Sequence, residues 1–259
     1  MEDVQAALDG GAQEIVLTGV HLGSWGKDLS PRRHLRHLIE AILSHTSAPR
    51  VRLSSLEPWN LDASFFELWQ EPRLCRHLHL PLQSGCNATL RRMARKTTQV
   101  SFAALVDAAR RVAPDMAITT DIIVGFPGES EAEFAESAAF VRQMAFAGGH
   151  VFTYSPRPGT AAARMPGQVP HAVRKERNAR MRQILADSGA RYRSRFIGHT
   201  REVLWESAVA LGPAGWTLSG LTDNYLRVHA QAPQDLWNRL SRVRITAEDG
   251  SALRGVLVE

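Results

Sequence analysis

Five short segments of this 259-residue chain hold the side chains best suited to act on a ligand. Thr18-Gly19-Val20-His21 closes one β-branched run, Ser54, Ser55 and Glu57 close a second, and Gln83-Ser84-Gly85 follow a third. Asp121 and Gly125-Phe126-Pro127-Gly128-Glu129 lie at a fourth, and Tyr154-Ser155-Pro156-Arg157 follow a fifth. Singly, each reads equally well as a turn or a helix cap. Five polar or glycine-rich strand ends together describe a rim that approaches a ligand closely, with glycines leaving room for it. Parallel sheets and barrels bind ligands at the carboxyl ends of their strands.

Metal chemistry has little to work with. Cys75 and Cys86 are the two cysteines, too few for a four-cysteine zinc site or a three-cysteine cluster. They form no disulfide framework and point to a reducing compartment. Cys75 reads as a buried apolar thiol, and Cys86, beside Gln83-Ser84-Gly85, as a neighbour of the site.

Charge points to a polyanion. The chain carries +5, with a pI near 9.7. Between residues 174 and 195 eight cations face two anions: Arg174, Lys175, Arg177, Arg180, Arg182, Arg191, Arg193 and Arg195 against Glu176 and Asp187. The plain alternative is a solvated helix face.

A scaffold must place these groups, and the first two-thirds of the chain alternates strands with helices. Strands are expected near residues 14, 50, 77, 116 and 150. Helices are expected over 35–45, after an Asp62 cap through Trp69, over 87–95, over 101–112, and over 130–144 with a Ser130/Glu133 capping box. This alternation implies parallel β/α units. Five strands suit an α/β partial barrel that lacks its first strand. A long helix over 171–196 follows. Strands then fall near 202–209, 216–221, 225–230, 242–246 and 253–258, separated by turns, which predicts a small all-β barrel. The division expected is 1–196 and 197–259. No apolar run is long enough for a membrane, and the start has no signal-peptide pattern, so a cytoplasmic protein without a membrane partner is expected.

The strings EIVLTGVHLGSWG, RLSSLEP, HLHLPLQSGCNATLRRMARK, TTDIIVGFPGES and VFTYSPRPGTAAARMPGQVP together resemble radical S-adenosylmethionine (SAM) methylthiotransferases. The closest branch is the one acting on N6-threonylcarbamoyladenosine beside the tRNA anticodon. The tail, with GLTDNYLRV and NRLSRVRIT, resembles the RNA-binding TRAM domain of those enzymes. The resemblance spans nearly the whole chain. It implies SAM contacts at Thr18, Gly19, Ser55, Glu57, Arg95, Asp121, Gly125 and Glu129, and active-site roles for Gln83 and Ser84. Acceptors such as Glu57 suit the ammonium and ribose of SAM, and a cation such as Arg95 suits its carboxylate. tRNA is the implied partner. Arg174, Arg177 and Arg180 on the basic helix, with Tyr225, Arg227 and Arg244 in the tail, are the candidate RNA contacts; Trp216 suits either RNA or the core.

The family binds one [4Fe–4S] cluster through CxxxCxxC and a second through three cysteines of an N-terminal domain. This sequence contains neither set, so it is expected to be a fragment that cannot cleave SAM alone. Two other functions remain in view: the sister branch that methylthiolates a ribosomal protein, and a module that holds RNA without chemistry. RLSSLEP and QSGC favour the tRNA branch.

Overall fold

The computed structural model describes residues 1–213 and 215–258. It opens with α1 (Glu2–Asp9), β1 (Glu14–Leu17), α2 (Leu35–His45) and β2 (Arg50–Leu53). Then come β3 (His77–His79), α3 (Asn87–Arg92), α4 (Gln99–Val112), β4 (Ala117–Val124), α5 (Glu131–Met144) and β5 (Gly148–Thr153). Two helices, α6 (Ala161–Arg164) and α7 (His171–Ser194), lead to β6 (Thr200–Gly212), β7 (Gly215–Thr222), β8 (Arg227–Ala232), β9 (Leu240–Asp249) and β10 (Ala252–Leu257).

β1 to β5 run parallel in chain order. β1 pairs with β2, β4 lies between β3 and β5, and the bridges Val51–Leu74 and Ser55–His79 join the two sheets. The α/β partial barrel expected from the alternation is present. Among the described residues β1 has β2 as its one partner, so its far edge is open. In β4 the side chains of Ile118, Thr120, Ile122 and Val124 are buried while Thr119 and Asp121 point the other way. The buried set faces the helices, where Phe102 and Val106 of α4 and Phe134 and Val141 of α5 complete one core. The opposite set lines a bore.

α5 starts at the expected capping box, with Ser130 Oγ accepting from the Glu133 amide at 3.2 Å. Asp62 caps as expected, but the helix it opens is a tight 3-10 stretch over Ala63–Gln70. α3 stops at Arg92, and Asn87 Oδ1 accepts from the Gln99 amide instead of capping it. α4 begins earlier than expected because Thr98 and Ser101 form the capping box.

β6 to β10 close into a barrel in the order β10-β8-β7-β6-β9. Its core holds Val203, Trp205, Leu218, Val228, Val243, Ile245 and Leu253, with Trp216 packed against it. Gly220 has no space for a side chain, because a Cβ there would strike the Leu204 carbonyl. Tyr225, expected in a strand, sits in the β7–β8 turn at φ 64°.

That turn plugs the floor of the partial barrel. Arg50 donates to the carbonyls of Leu221 at 3.1 Å and Glu202 at 2.7 Å. Arg52 donates to those of Asp223 and Thr222, both at 3.1 Å, and grips both oxygens of Glu14 at 2.6 and 2.9 Å. Tyr225 stacks on His77 with centroids 4.1 Å apart and rings 6° from parallel. Asn224 donates to the Tyr192 hydroxyl at 2.9 Å, which donates to the Asp115 carbonyl at 2.6 Å.

A candidate ligand-binding bore

The inward faces of the five strands enclose a cavity of about 640 Å³, lined by Val16, Arg52, Ser54, His77, His79, Thr119 and His150, with Tyr225 beneath. His77 and His79 alternate on β3, so both point inward, as do Thr119 and Asp121 on β4. Four side chains therefore connect in a line. His77 Nε2 and His79 Nδ1 each lie 3.0 Å from Thr119 Oγ1, and His79 Nε2 lies 3.2 Å from Asp121 Oδ2.

Thr119 Oγ1 thus meets both rings, donating to one and accepting from the other. His79 Nε2 faces the Asp121 carboxylate as a charge contact, and His77 Nδ1 is buried without a partner. Burial, helped by Arg52, pushes the His77 pKa down to about 3, which keeps its ring neutral. The far end of the line is incomplete as well. Asp121 Oδ1 and Ser54 Oγ are buried with no hydrogen-bond partner. Unsatisfied buried acceptors of this kind suit a bound donor.

Above the bore, the loops after β1 and β2 meet. His21 Nδ1 lies 2.7 Å from Glu57 Oε1. Burial raises the Glu57 carboxyl, but hydrogen bonds from His21, its own backbone and Asn60 outweigh that and hold it below the usual carboxylate range. A Cβ on Gly23 would come within 3.0 Å of Glu57 Oε2, so this loop lies tightly over the carboxylate. Thr18, Gly19 and Ser55 are exposed on the same rim. Gln83 holds a left-handed φ of 71° between two backbone bonds, its amide to Asp121 O and its carbonyl from Ile123 N, each 2.8 Å. Such strain in a non-glycine residue gathers at functional sites.

Several expected site residues have partners within the fold. Ser84 is buried, and its hydroxyl accepts from the Cys86 amide at 3.2 Å. Gly125 leaves room for a side chain rather than a ligand: the aliphatic stem of Arg174 lies over its Cα. Glu129 turns onto the backbone, accepting from the Gly125 amide at 2.7 Å and from Arg177 at 3.2 Å. Arg177 is only 5% exposed, so it anchors α7 and is closed to RNA. Arg174 is also committed, donating to the Tyr154 carbonyl. Arg95, expected to meet a carboxylate, lies over the Trp59 ring at 5.9 Å. Of the remaining candidates, Arg180 is half exposed but pairs with Glu131 at 3.0 Å. Arg227 pairs with Glu206, Arg244 is exposed on β9, and Tyr225 belongs to the floor.

The cysteines do not fit an iron–sulfur cluster. Burial pushes the Cys75 thiol up to about 12, and its Sγ lies at the floor, 3.6 Å from Glu14. Burial also raises Cys86, whose thiol donates to Glu136 at 3.1 Å beside α5. Thiolates bind iron, and both sites favour the thiol. Among the described residues no three His, Cys, Asp or Glu side chains gather to hold a metal. No described helix is long and apolar enough to cross a membrane.

Sequence reasoning missed the line from His77 to Asp121. Its signal was present in His77-Leu-His79, whose alternation puts two rings on one strand face.

Known proteins fit this geometry. A family model described as the Radical SAM superfamily matches residues 1–141. The chain is 42% identical over 218 residues to the threonylcarbamoyladenosine tRNA methylthiotransferase MtaB of Thermotoga maritima, covering 84% of this chain and 49% of that one. It is 35% identical over 246 residues to MtaB of Bacillus subtilis, covering 95% and 54%. With tRNA-2-methylthio-N(6)-dimethylallyladenosine synthase of Moorella thermoacetica it shares 34% over 260 residues, covering 100% and 58%. The chain thus spans about half the length of these curated relatives. Among solved structures, the radical SAM enzyme coproporphyrinogen III oxidase HemN of Escherichia coli superposes with a TM-score of 0.53 at 14% identity. That match covers 74% of this chain and 44% of that one.

Proposed function

The chain belongs to the radical SAM superfamily, and from that premise we propose that it forms the SAM-binding and RNA-binding part of a cytoplasmic tRNA methylthiotransferase. Its substrate is N6-threonylcarbamoyladenosine next to the anticodon. Residues 1–196 form the catalytic core and its basic linker helix, and residues 197–259 form a TRAM domain. The observation that carries the reading is the bore beneath a rim of five strand ends, where the buried Ser54 hydroxyl lacks a partner and lining His79 leads to Asp121, whose buried Oδ1 also lacks one. SAM brings an ammonium, two ribose hydroxyls and an amino group, which are the donors such a site needs. Asp121, Ser54 and Glu57 would hold them, and Thr18, Gly19, Ser55 and Gln83 would border them. When bound and reduced in such enzymes, SAM supplies a carbon radical. Cys75 and Cys86 cannot deliver the electron, so this chain alone binds and orients.

Two measurements test the reading. Mass spectrometry of tRNA nucleosides from a strain lacking this gene should show threonylcarbamoyladenosine without its methylthio group; an unchanged modification would end the proposal. The purified chain with SAM and a strong reductant should release no 5′-deoxyadenosine, and release would refute the assignment of the cysteines.

A further inference from the structure

Beside the bore, on the outer shoulder of the rim, lies a recess with no role in the reading above. It measures about 260 Å³ and sits between the turn after β2 and the start of α4. Trp59, Leu61 and Phe102 give it apolar walls, and Thr97 and Lys96 give it polar ones.

Three features set this recess apart from a chance surface dent. Trp59 is 39% exposed although it is the largest apolar side chain available to bury. Thr97 is only 6% exposed, yet its hydroxyl finds no partner. A buried hydroxyl that is left unsatisfied costs free energy unless something enters to meet it. Arg95 lies over the Trp59 ring at 5.9 Å and makes no ion pair or side-chain hydrogen bond among the described residues. Burial lowers its pKa, so the guanidinium is a partly desolvated cation without an anion. Lys96, exposed, stands next to it.

We propose that this recess takes the base of one unpaired nucleotide of an RNA, stacked against Trp59 and hydrogen-bonded by Thr97, with its phosphate held by Arg95 and Lys96. The chemistry selects that ligand. A flat ring matches the indole and the apolar wall, polar ring edges match a lone hydroxyl, and a phosphate matches two adjacent cations. A fatty or wholly apolar ligand would leave Thr97 unsatisfied, and a free anion would leave the tryptophan unused. The recess opens on the strand-end side of the partial barrel, so a nucleotide held here would sit beside one extruded into the bore. The inference rests on the tRNA reading and adds the place where a neighbouring base is gripped.

The full chain can be tested with two RNAs of equal length and charge, a stem-loop and a fully paired duplex. Stacking on an aromatic residue contributes about 1–3 kcal/mol per base, so Trp59→Ala should weaken stem-loop binding about 5- to 150-fold. It should leave duplex binding unchanged. Trp59→Phe should recover most of the loss, and Thr97→Val, which keeps volume, should weaken the stem-loop a few-fold. Thermal melting of the Trp59 variants should match the unaltered chain, since Trp59 is exposed on a short turn, and Thr97→Val, which removes an unsatisfied buried hydroxyl, should melt no lower. Equal stem-loop affinity for Trp59→Ala and the unaltered chain would overturn the site while leaving tRNA binding intact. An equal loss for duplex and stem-loop would overturn it too, because the contact would then be electrostatic. If the unaltered chain binds neither RNA, the tRNA reading falls and this site with it.

Discussion

The two ends of the partial barrel use the same residue types in opposite ways. At the floor, Arg50 and Arg52 are almost fully buried, and their donors meet four carbonyls and the Glu14 carboxylate. Toward the strand ends, Asp121 Oδ1 and Ser54 Oγ are buried with nothing to meet. Polar groups that are complete in the folded chain bind the fold together. Polar groups left incomplete weaken it, and they persist where a ligand completes them. The floor is also where the β6–β10 barrel docks, so the Arg50 and Arg52 hydrogen bonds there fix the orientation of the two halves.

The largest expected effect comes from breaking the floor. Arg52→Ala strips Glu14 of its closest partner and frees the Thr222 and Asp223 carbonyls. Removing one member of a buried pair costs about 3–5 kcal/mol. At about 2–4 °C per kcal/mol for a chain near this size, the melting temperature should fall by roughly 10 °C. A fall of under 2 °C would mean that the floor contacts carry little and that the contrast with the rim is false.

A pH titration gives a middle-sized effect. The His77 pKa in the folded chain, about 3, lies below its ordinary value of 6.5. A depressed pKa contributes stability that is fully present above 6.5 and is lost as pH falls from there toward 3. The slope within that window is at most about 1.4 kcal/mol per pH unit and half of that at pH 6.5, so stability should drop by about 1.6 kcal/mol between pH 6.5 and 5. His77→Phe keeps a ring against Tyr225 and removes the titration. Its urea midpoint should change less than that of the unaltered chain across the same interval, and parallel curves would show that His77 is not held neutral by the floor.

These contrasts were only partly legible in the sequence. Strand and helix positions follow from local periodicity, which is why β1 to β5 lie where the alternation puts them. The rim positions of Glu57 and Gln83 also follow, because strand ends are marked by turn chemistry, while Asp121 lies inside β4. The neighbours of the GFPGE segment were not legible, for a physical reason. A glycine next to a loop leaves room for a ligand or for a side chain from far along the chain, and Arg174, 49 positions on, takes the space at Gly125. The partners of the basic helix were hidden in a related way: Arg174 and Arg177 of α7 place their charge on Tyr154, Glu129 and Glu131. Long-range partners of this kind leave no local signature.

The smallest expected change in stability is at the rim, and it sharpens the comparison most. Asp121→Asn keeps an oxygen facing His79 Nε2 and removes the carboxylate charge, one of whose oxygens has no partner in the chain. His79 is its one ion-pair neighbour among the described residues and is partly exposed, so the melting temperature should stay within about 2 °C, as for changes of under 1 kcal/mol. Hydrogen bonds to charged groups contribute about 1.5–3 kcal/mol, so SAM binding measured by calorimetry should weaken about tenfold or more. The reverse result, a destabilised fold with unchanged SAM affinity, would make Asp121 a structural residue. The bore would then be one more sealed surface, with no division between a floor that holds the chain and a rim that holds a ligand.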